Sequence, residues 1–213
     1  QKTKADTKVM LSGDMKIPMA ALDPGFGRDA CLLRFGDSVS STDGGLVVLQ
    51  FGPIYTLDIN VKSSEPVEYQ ILYQTKALLD RHSVPYGNVA IDVVGTSLKV
   101  AGIFQKEMSP DYYQYNSILG VTELKFHPND LMTPRQLYGT RSTESWMAMS
   151  KFIDRCQIKG LDADTIMELT SRRVHELNGR LRIEAKEEYK VRLGKIMAGR
   201  GSPDKGDAAC MLL

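Results

Sequence analysis

Apolar residues in the first sixty positions come in short stretches that are separated by residues typical of turns. The separating segment at 37–45 is rich in Ser, Asp and Gly, and Gly52 and Pro53 predict a bend within one long strand or between two short ones. A polar lead-in precedes the first stretch, at 1–16. The apolar stretches predict a meander of three antiparallel strands, and they lie at 17–22, 30–36, 46–51 and 54–61.

Helical periodicity begins after residue 63 and alternates with further strands. Pro66 in a first helical turn, followed by apolar residues three and four apart, predicts a helix that ends near His82. Asn178-Gly179 between two alternating stretches predicts a β-hairpin over 172–184. A meander followed by alternating strands and helices is typical of an α/β fold, with a mixed sheet and helices on both faces. The other predicted elements are strands at 89–94 and 121–126, and helices at 97–108, 142–156, 162–169, 185–193 and 204–213.

Four aspartates stand out because of the elements that carry them. Asp23 ends the first predicted strand before a Pro-Gly-Phe-Gly turn, and Asp92 lies within the apolar sequence Val-Ala-Ile-Asp-Val-Val. Asp207 lies in the last predicted helix among small and apolar residues, with Asp204 one turn earlier. If the first and fourth strands are neighbours, Asp23 and Asp92 lie at the same end of the sheet. The last helix can then bring Asp207 beside them.

A cluster of carboxylates is repulsive, and bound cations relieve that repulsion. Oxygen ligands without a nearby Cys or His favour Mg²⁺ or Mn²⁺, and two such ions support phosphodiester hydrolysis. Structural interpretations remain open as well: Asp23 can form a turn, and Asp204 and Asp207 can cap a helix. Asp92 has the weakest structural alternative, because an idle charge inside a strand is costly.

Composition and charge narrow the function without deciding it. The 213 residues carry a formal net charge of +1, which gives no overall indication of nucleic-acid binding. Lys and Arg are concentrated between Arg172 and Arg200, and this region either faces a polyanion or is simply solvated. The chain has no Gly-x-x-x-x-Gly-Lys-Ser/Thr sequence, and therefore no P-loop ATPase. Three widely spaced cysteines fit neither a zinc site nor a disulfide framework, which predicts an intracellular protein: Cys31, Cys156 and Cys210.

The sequence resembles the nuclease domain of the large terminase subunit of tailed bacteriophages. The resemblance is most specific at 179–209, where Glu-Ala-Lys-Glu and Ser-Pro-Asp-Lys-Gly-Asp-Ala occur in the order found at the end of that domain. The segment at 21–36 resembles its first strand and turn, 88–97 resembles its second acid-bearing strand, and 141–154 resembles the helix before its hairpin. The region at 112–138 has no clear counterpart in the family.

This resemblance implies an RNase H-like fold with an auxiliary hairpin, and a two-metal endonuclease that cuts concatemeric double-stranded viral DNA with little sequence specificity. Asp23, Asp92 and Asp207 match the three acids of the family. The resemblance implies that Asp23 bridges two Mg²⁺ or Mn²⁺ ions, while the other two acids each hold one. Asp204 matches a further position that is acid or His in the family. Lys186 matches a lysine that neutralises phosphate or holds an acid in place.

The same resemblance predicts the domain organisation and the partners. Residues 17–213 form one nuclease domain after a linker or lead-in at 1–16, and the ATPase half belongs to a longer polypeptide. The implied partners are double-stranded DNA, that ATPase domain, the portal and the small terminase subunit, in the host cell cytoplasm and without a membrane. Two alternatives stay open: a Holliday-junction resolvase or RNase H-type nuclease, and a non-catalytic docking module of the packaging motor.

Overall fold

Three antiparallel strands form the centre of the sheet in the computed structural model, which describes residues 14–26, 30–41, 47–194 and 202–213. They are β1 (Asp14–Asp23), β2 (Leu32–Ser41) and β3 (Val47–Thr56). The predicted meander is therefore confirmed. β1 begins before the predicted domain start at 17, and the rest of the predicted lead-in lies outside the described residues.

Three shorter strands extend this meander at its two edges. On one side, β4 (Val89–Asp92) runs parallel to β1, and β5 (Tyr113–Tyr115) runs parallel to β4. On the other side, β6 (Ile158–Lys159) runs parallel to β3. The strand order of the six-stranded mixed sheet is therefore β5-β4-β1-β2-β3-β6. A separate two-stranded hairpin consists of β7 (Val174–Leu177) and β8 (Arg180–Ile183).

Helices connect these strands. A single 3₁₀ turn at Tyr86–Asn88 leads directly into β4. No helix in the described part of the chain is long and apolar enough to cross a membrane. The helices are α1 (Val67–Arg81), α2 (Ser97–Glu107), α3 (Pro134–Leu137), α4 (Arg141–Asp154), α5 (Ala163–Ser171), α6 (Lys186–Gly194) and α7 (Asp204–Cys210).

The sheet separates two hydrophobic cores. Alternate side chains of a strand point to opposite faces, and β1 contributes to both cores in this way. On one face, Ala20 packs with Leu79 of α1 and Phe104 of α2. On the other face, Ala21 belongs to the core that contains Trp146 of α4 and residues of α7. The predicted α/β architecture, a mixed sheet with helices on both faces, is confirmed.

The hairpin and the end of the first helix agree with their sequence predictions. Asn178 and Gly179 have φ values of 53° and 73°. A two-residue turn with both central residues at positive φ matches the twist of the strands that it joins. His82 follows α1 as its C-cap residue.

The region between α2 and α4 contains the main error of the sequence prediction. The predicted strand at 121–126 is wrong, because this segment is irregular and lies outside both sheets. The carboxylate of Glu144 in α4 instead accepts hydrogen bonds from the backbone N–H and the hydroxyl of Thr122. β5 and α3 also lie in this region, and neither is among the elements predicted from the sequence.

The remaining differences concern where elements end. β2 continues to Ser41, so the predicted turn at 37–45 begins too early; residues 42–46 lie outside the described part. β3 runs through Gly52 and Pro53 as one long strand, which is one of the two predicted arrangements, but it ends at Thr56 and not at 61. Cys156, the last residue of the helix predicted at 142–156, lies beyond the end of α4 and has a φ of 58°.

Candidate active site

The first two predicted acids lie at the same end of two neighbouring strands. Leu22 of β1 is paired with Ile91 of β4 in parallel register. Asp23 and Asp92, the next residue of each strand, therefore lie side by side at the same edge of the sheet. Each aspartate is the last residue of its strand. The backbone N–H of Val94 donates to Oδ1 of Asp92 at 3.1 Å, which orients this carboxylate beyond the strand end.

Helix α7 brings the third acid to this end of the sheet. The helix packs against β1 and β2. It is also tied to α5, because Glu168 accepts a hydrogen bond from the N–H of Gly206 at 2.8 Å and Asp164 pairs with Lys205 at 2.6 Å. Asp207 of α7 therefore faces the strand ends. A cavity of about 360 Å³ opens there, and its lining includes Asp23, Asp92, Asp207, Lys186, Arg172 and Glu187.

Lys186 is the cationic centre of this cluster. Its Nζ lies 2.8 Å from Oδ2 of Asp207 and 3.3 Å from Oδ1 of Asp204. Burial alone lowers the pKa of Lys186, but the carboxylates of Asp207, Asp23 and Asp204 outweigh burial and raise it. The side chain is therefore a charged ammonium, and it neutralises part of the carboxylate charge. Asp204 contacts Lys186 and is not among the residues that line the cavity.

The second oxygen of Asp207 is held by two donors from other elements. Nε1 of Trp146 donates to Oδ1 of Asp207 at 2.8 Å, and Nη1 of Arg172 donates to the same atom at 3.1 Å. Arg172 stacks on the Trp146 ring at 4.6 Å and donates from Nε and Nη2 to the backbone carbonyl of Glu184. The two oxygens of Asp207 thus have different partners. Oδ2 contacts the ammonium of Lys186, whereas Oδ1 accepts from the indole of Trp146 and the guanidinium of Arg172.

The carboxylates at the strand ends lie in surroundings that disfavour their charged form. Burial raises the pKa of Asp23 to about 8; Lys186 opposes this shift, while Asp207, Asp204 and Asp92 add to it. The pKa of Asp92 is also raised, first by burial and in part by Asp207. A site that raises the pKa of its acids in this way favours the entry of a cation.

The donor chemistry of the cavity fits Mg²⁺ or Mn²⁺, although the side chains are not arranged for ligation as they stand. Among the described residues, no three His, Cys, Asp or Glu side chains are grouped closely enough to hold a metal ion. The ammonium of Lys186 takes the position of a cation beside Asp207. Hard carboxylate oxygens are the ligands that these ions prefer. Binding at Oδ2 of Asp207 therefore requires Lys186 to give up that contact.

Sequence analysis did not identify two of the residues that shape this site. Trp146 lies on the buried face of α4, where its periodicity indicates a core residue, and it is indeed 6% exposed. Arg172 precedes the hairpin and Lys186 follows it, so both cations of the cavity come from the two ends of one motif. That symmetry about Asn178-Gly179 is the pattern in the sequence that could have drawn attention to Arg172.

Gly206 lets the Trp146 ring reach α7, which leads to a prediction about stability. A Cβ at this position would lie 2.9 Å from Cη2 of Trp146 and 3.5 Å from Cβ of Glu168. We expect Gly206→Ala to lower the free energy of unfolding by about 1–3 kcal/mol, because overpacking displaces the ring. The measurement is urea denaturation followed by circular dichroism.

The matched control is Gly102→Ala, in the exposed face of α2. A Cβ at Gly102 would meet no atom within 4 Å. This variant should be stabilised by roughly 0.5–1 kcal/mol, since alanine is the better helix former. Equal effects of the two substitutions would contradict the close packing of Trp146 on α7.

Comparisons with known proteins agree with the observed fold. No protein-family model and no curated protein matches this sequence. The nuclease domain of the large terminase subunit of bacterial virus Sf6 is similar in structure, with a TM-score of 0.60 and 14% sequence identity over 95% of this chain and 89% of that one. A mutant of the same subunit with calcium gives a TM-score of 0.59 and 14% identity, over 92% of this chain and 87% of that one. A mutant nuclease domain with manganese gives 0.57 and 12%, with the same coverage.

Sequence identity at this level establishes a likeness of fold alone. The likeness extends over almost the whole chain. The chain therefore has the RNase H-like fold of the nuclease domain of a bacteriophage large terminase subunit.

Proposed function

We propose that the chain is the metal-dependent endonuclease domain of a viral DNA-packaging terminase, which cuts concatemeric double-stranded DNA. The observation that carries this proposal is the convergence of Asp23, Asp92 and Asp207, from two strands and a helix, on one cavity beside Lys186. The likeness of fold to the Sf6 nuclease domain supports the same assignment. The structure of a mutant of that domain with manganese supports Mg²⁺ or Mn²⁺ as the cofactor.

The roles of the cavity residues follow from their positions and charges. Asp23, Asp92 and Asp207 would hold two divalent ions, and Asp204 would assist them. Such ions, when bound, supply an activated water and stabilise the leaving oxygen of the phosphodiester. Lys186 gives up its contact with Asp207 and keeps its positive charge beside the substrate phosphate. The burial that raises the pKa of Asp23 also strengthens charge interactions at this carboxylate.

The hairpin provides a surface along which DNA reaches the cavity. β8 is fixed to the body of the domain, because Leu181 accepts a hydrogen bond from the N–H of Gly139 at 2.8 Å and Ile183 donates its N–H to Thr143 at 3.0 Å. All four residues of β7 are exposed. Arg180 is exposed at the start of β8, next to the turn. The hairpin is therefore attached to the domain through β8, and Arg180 beside the turn is the exposed cation that would contact DNA.

The affinity of this domain alone for DNA should be modest. Phosphate neutralisation supplies most non-specific DNA binding, and the net charge of the chain is only +1. We propose that the ATPase domain of the same polypeptide, the portal and the small terminase subunit keep the nuclease on DNA in the host cell cytoplasm. We propose that cleavage shows little sequence specificity, because nothing in the sequence resembles a base-reading helix.

The direct test is incubation of supercoiled plasmid with the protein and Mn²⁺ or Mg²⁺. We expect nicked and then linear DNA, and no product in EDTA. Asp92→Asn should be inactive, because it removes a carboxylate ligand while conserving size. Absence of cleavage at high protein concentration, or full activity of Asp92→Asn, would contradict the proposal.

The choice of substrate separates this function from its relatives. Linear duplex DNA, a four-way junction and an RNA–DNA hybrid are compared under the same conditions. Preference for the duplex supports a terminase nuclease, whereas strong preference for the junction or the hybrid indicates a resolvase or an RNase H. A docking module without catalysis would show no cleavage and no rise in melting temperature with Mn²⁺, since a bound ligand stabilises the folded state.

A further inference from the structure

We infer that Trp146 and Arg172 are positioning residues that hold Oδ1 of Asp207, so that Oδ2 is the oxygen offered to a divalent ion. This inference rests on the proposed function. It assigns a role to the indole of Trp146 and the guanidinium of Arg172, whose contacts with Asp207 the proposed role of the three acids does not explain. It also divides the two oxygens of one carboxylate between a structural and a metal-binding task.

The geometry separates the two oxygens clearly. The Nε1–H of Trp146 and the Nη1–H of Arg172 both donate to Oδ1, at 2.8 Å and 3.1 Å. The Nζ of Lys186 contacts Oδ2 at 2.8 Å. Two donors on one oxygen fix both the position and the rotation of the carboxylate plane. The remaining oxygen is then presented to whatever cation lies beside Lys186.

The two donors are themselves held firmly. The side chain of Arg172 is 4% exposed, and its Nε and Nη2 both donate to the backbone carbonyl of Glu184, at 3.1 Å and 2.7 Å. The guanidinium lies 4.6 Å from the centre of the Trp146 ring. The Trp146 ring packs against Gly206, one residue before Asp207. This arrangement leaves neither donor free to follow the carboxylate if it rotates.

Glu184 adds a further layer of support behind Arg172. Its carboxylate accepts from Nε and Nη2 of Arg192, at 2.7 Å and 2.5 Å, and from the N–H of Arg173 at 3.2 Å. The carbonyl that receives Arg172 is thus part of a residue fixed at both ends. Groups that orient a metal ligand in this way commonly affect metal affinity nearly as strongly as the ligand itself.

Trp146 is the single tryptophan of the chain, so this contact has a spectroscopic signature. Its indole N–H is bound to the carboxylate that would hold the ion. Paramagnetic Mn²⁺ at Oδ2 of Asp207 should therefore quench tryptophan fluorescence, and excess diamagnetic Mg²⁺ should restore it. Asp207→Asn should remove the saturable part of the quenching.

The second measurement is Mn²⁺ affinity, determined from the electron paramagnetic resonance signal of free Mn²⁺. We expect Trp146→Phe and Arg172→Gln each to weaken binding by roughly 10- to 100-fold. The matched control is Arg155→Gln, which also removes an arginine–aspartate contact, between Nη2 of Arg155 and Asp130 at 3.3 Å. It should bind Mn²⁺ like the wild type. Melting curves in EDTA establish that each variant is folded. If Arg172→Gln does not fold, the Mn²⁺ affinity of Trp146→Phe alone tests the positioning role.

The outcomes distinguish this inference from the proposed function. The positioning role is overturned if folded Trp146→Phe and Arg172→Gln bind Mn²⁺ with wild-type affinity, or if Mn²⁺ binds without quenching. The nuclease proposal remains intact in that case if the wild type cleaves plasmid DNA. A wild-type chain that neither binds Mn²⁺ nor cuts DNA overturns both. Weakened affinity in both variants, with saturable quenching in the wild type, supports the positioning role.

Discussion

Asp23→Asn is expected to abolish Mn²⁺-dependent DNA cleavage and, at the same time, to raise the melting temperature of the metal-free protein at pH 8. Asp23 is the acid most strongly disfavoured by its surroundings, since burial and three neighbouring aspartates raise its pKa to about 8 against the opposing effect of Lys186. Asparagine keeps the shape and removes the charge. The residue that the proposed catalysis needs is therefore one whose charged form its surroundings disfavour.

The pH dependence of this stabilisation has a definite sign. Between the ordinary pKa of 3.8 and the folded value of about 8, the folded state holds a proton on Asp23 that the unfolded state has lost. Stability contributed by this group is present at low pH and decreases as the pH rises through that range. The advantage of Asp23→Asn over the wild type should therefore be small near pH 4 and largest at pH 8 and above.

Melting curves in EDTA across this pH range, together with plasmid cleavage in Mn²⁺, measure both effects. Removal of a group that supports a metal ligand costs up to about 100-fold in activity. Loss of the ligand itself should therefore lower cleavage by at least about 100-fold. The matched control is Asp58→Asn, at an exposed position that is not among the cavity residues. It should leave cleavage and the pH profile unchanged. An active Asp23→Asn, or one whose melting temperature follows the wild type at every pH, would contradict this account.

Lys186→Ala is expected to destabilise the metal-free protein and to enlarge the stabilisation that Mn²⁺ provides. The ammonium pairs with Asp207 and Asp204, and its side chain is 36% exposed. Its loss should cost about 1–3 kcal/mol, between the values for exposed and for buried pairs. Mn²⁺ no longer competes with the ammonium for Oδ2 of Asp207, so the rise in melting temperature on adding Mn²⁺ should exceed that of the wild type.

The control for this prediction is Lys205→Ala, in the same helix as Asp207. Lys205 also forms an ion pair, at 2.6 Å with Asp164, but that carboxylate is 61% exposed. Such a surface pair contributes about 0–1 kcal/mol. Melting temperatures are measured for both variants in EDTA and in Mn²⁺. The same Mn²⁺ response in Lys186→Ala and the wild type would show that the ammonium does not occupy the position of a cation.

Much of the sheet could be predicted from the sequence, because its central strands carry their own periodicity. The meander, the apolar strand that ends at Asp92 and the hairpin at Asn178-Gly179 are each encoded over several residues. β5 is different, since it has only three residues and is defined by its pairing with β4. The segment at 121–126 shows the converse: it alternates, but it has no neighbouring strand in the described part of the chain.

Only the part of the candidate site that depends on strand ends and on the order of motifs could be predicted from the sequence. The acids of β1 and β4 are predictable because parallel neighbours end together. The donors to Asp207 are not, because Trp146 lies 61 residues from it and Arg172 lies 35 residues from it. Helical periodicity indicates that Trp146 is buried, but it does not indicate which acceptor its N–H will meet. That contact depends on how α4, α7 and the hairpin pack together.

The central claim is that Asp23, Asp92 and Asp207 form a binding site for divalent ions. Its most direct test is a crystal of the wild-type chain soaked in Mn²⁺, with anomalous diffraction used to locate the metal. The account predicts Mn²⁺ in the cavity, bonded to the carboxylates of Asp23 and Asp92 and to Oδ2 of Asp207. The ammonium of Lys186 should have moved away from that oxygen. A cavity that stays free of Mn²⁺ at high concentration, with Lys186 still paired to Asp207, would contradict it.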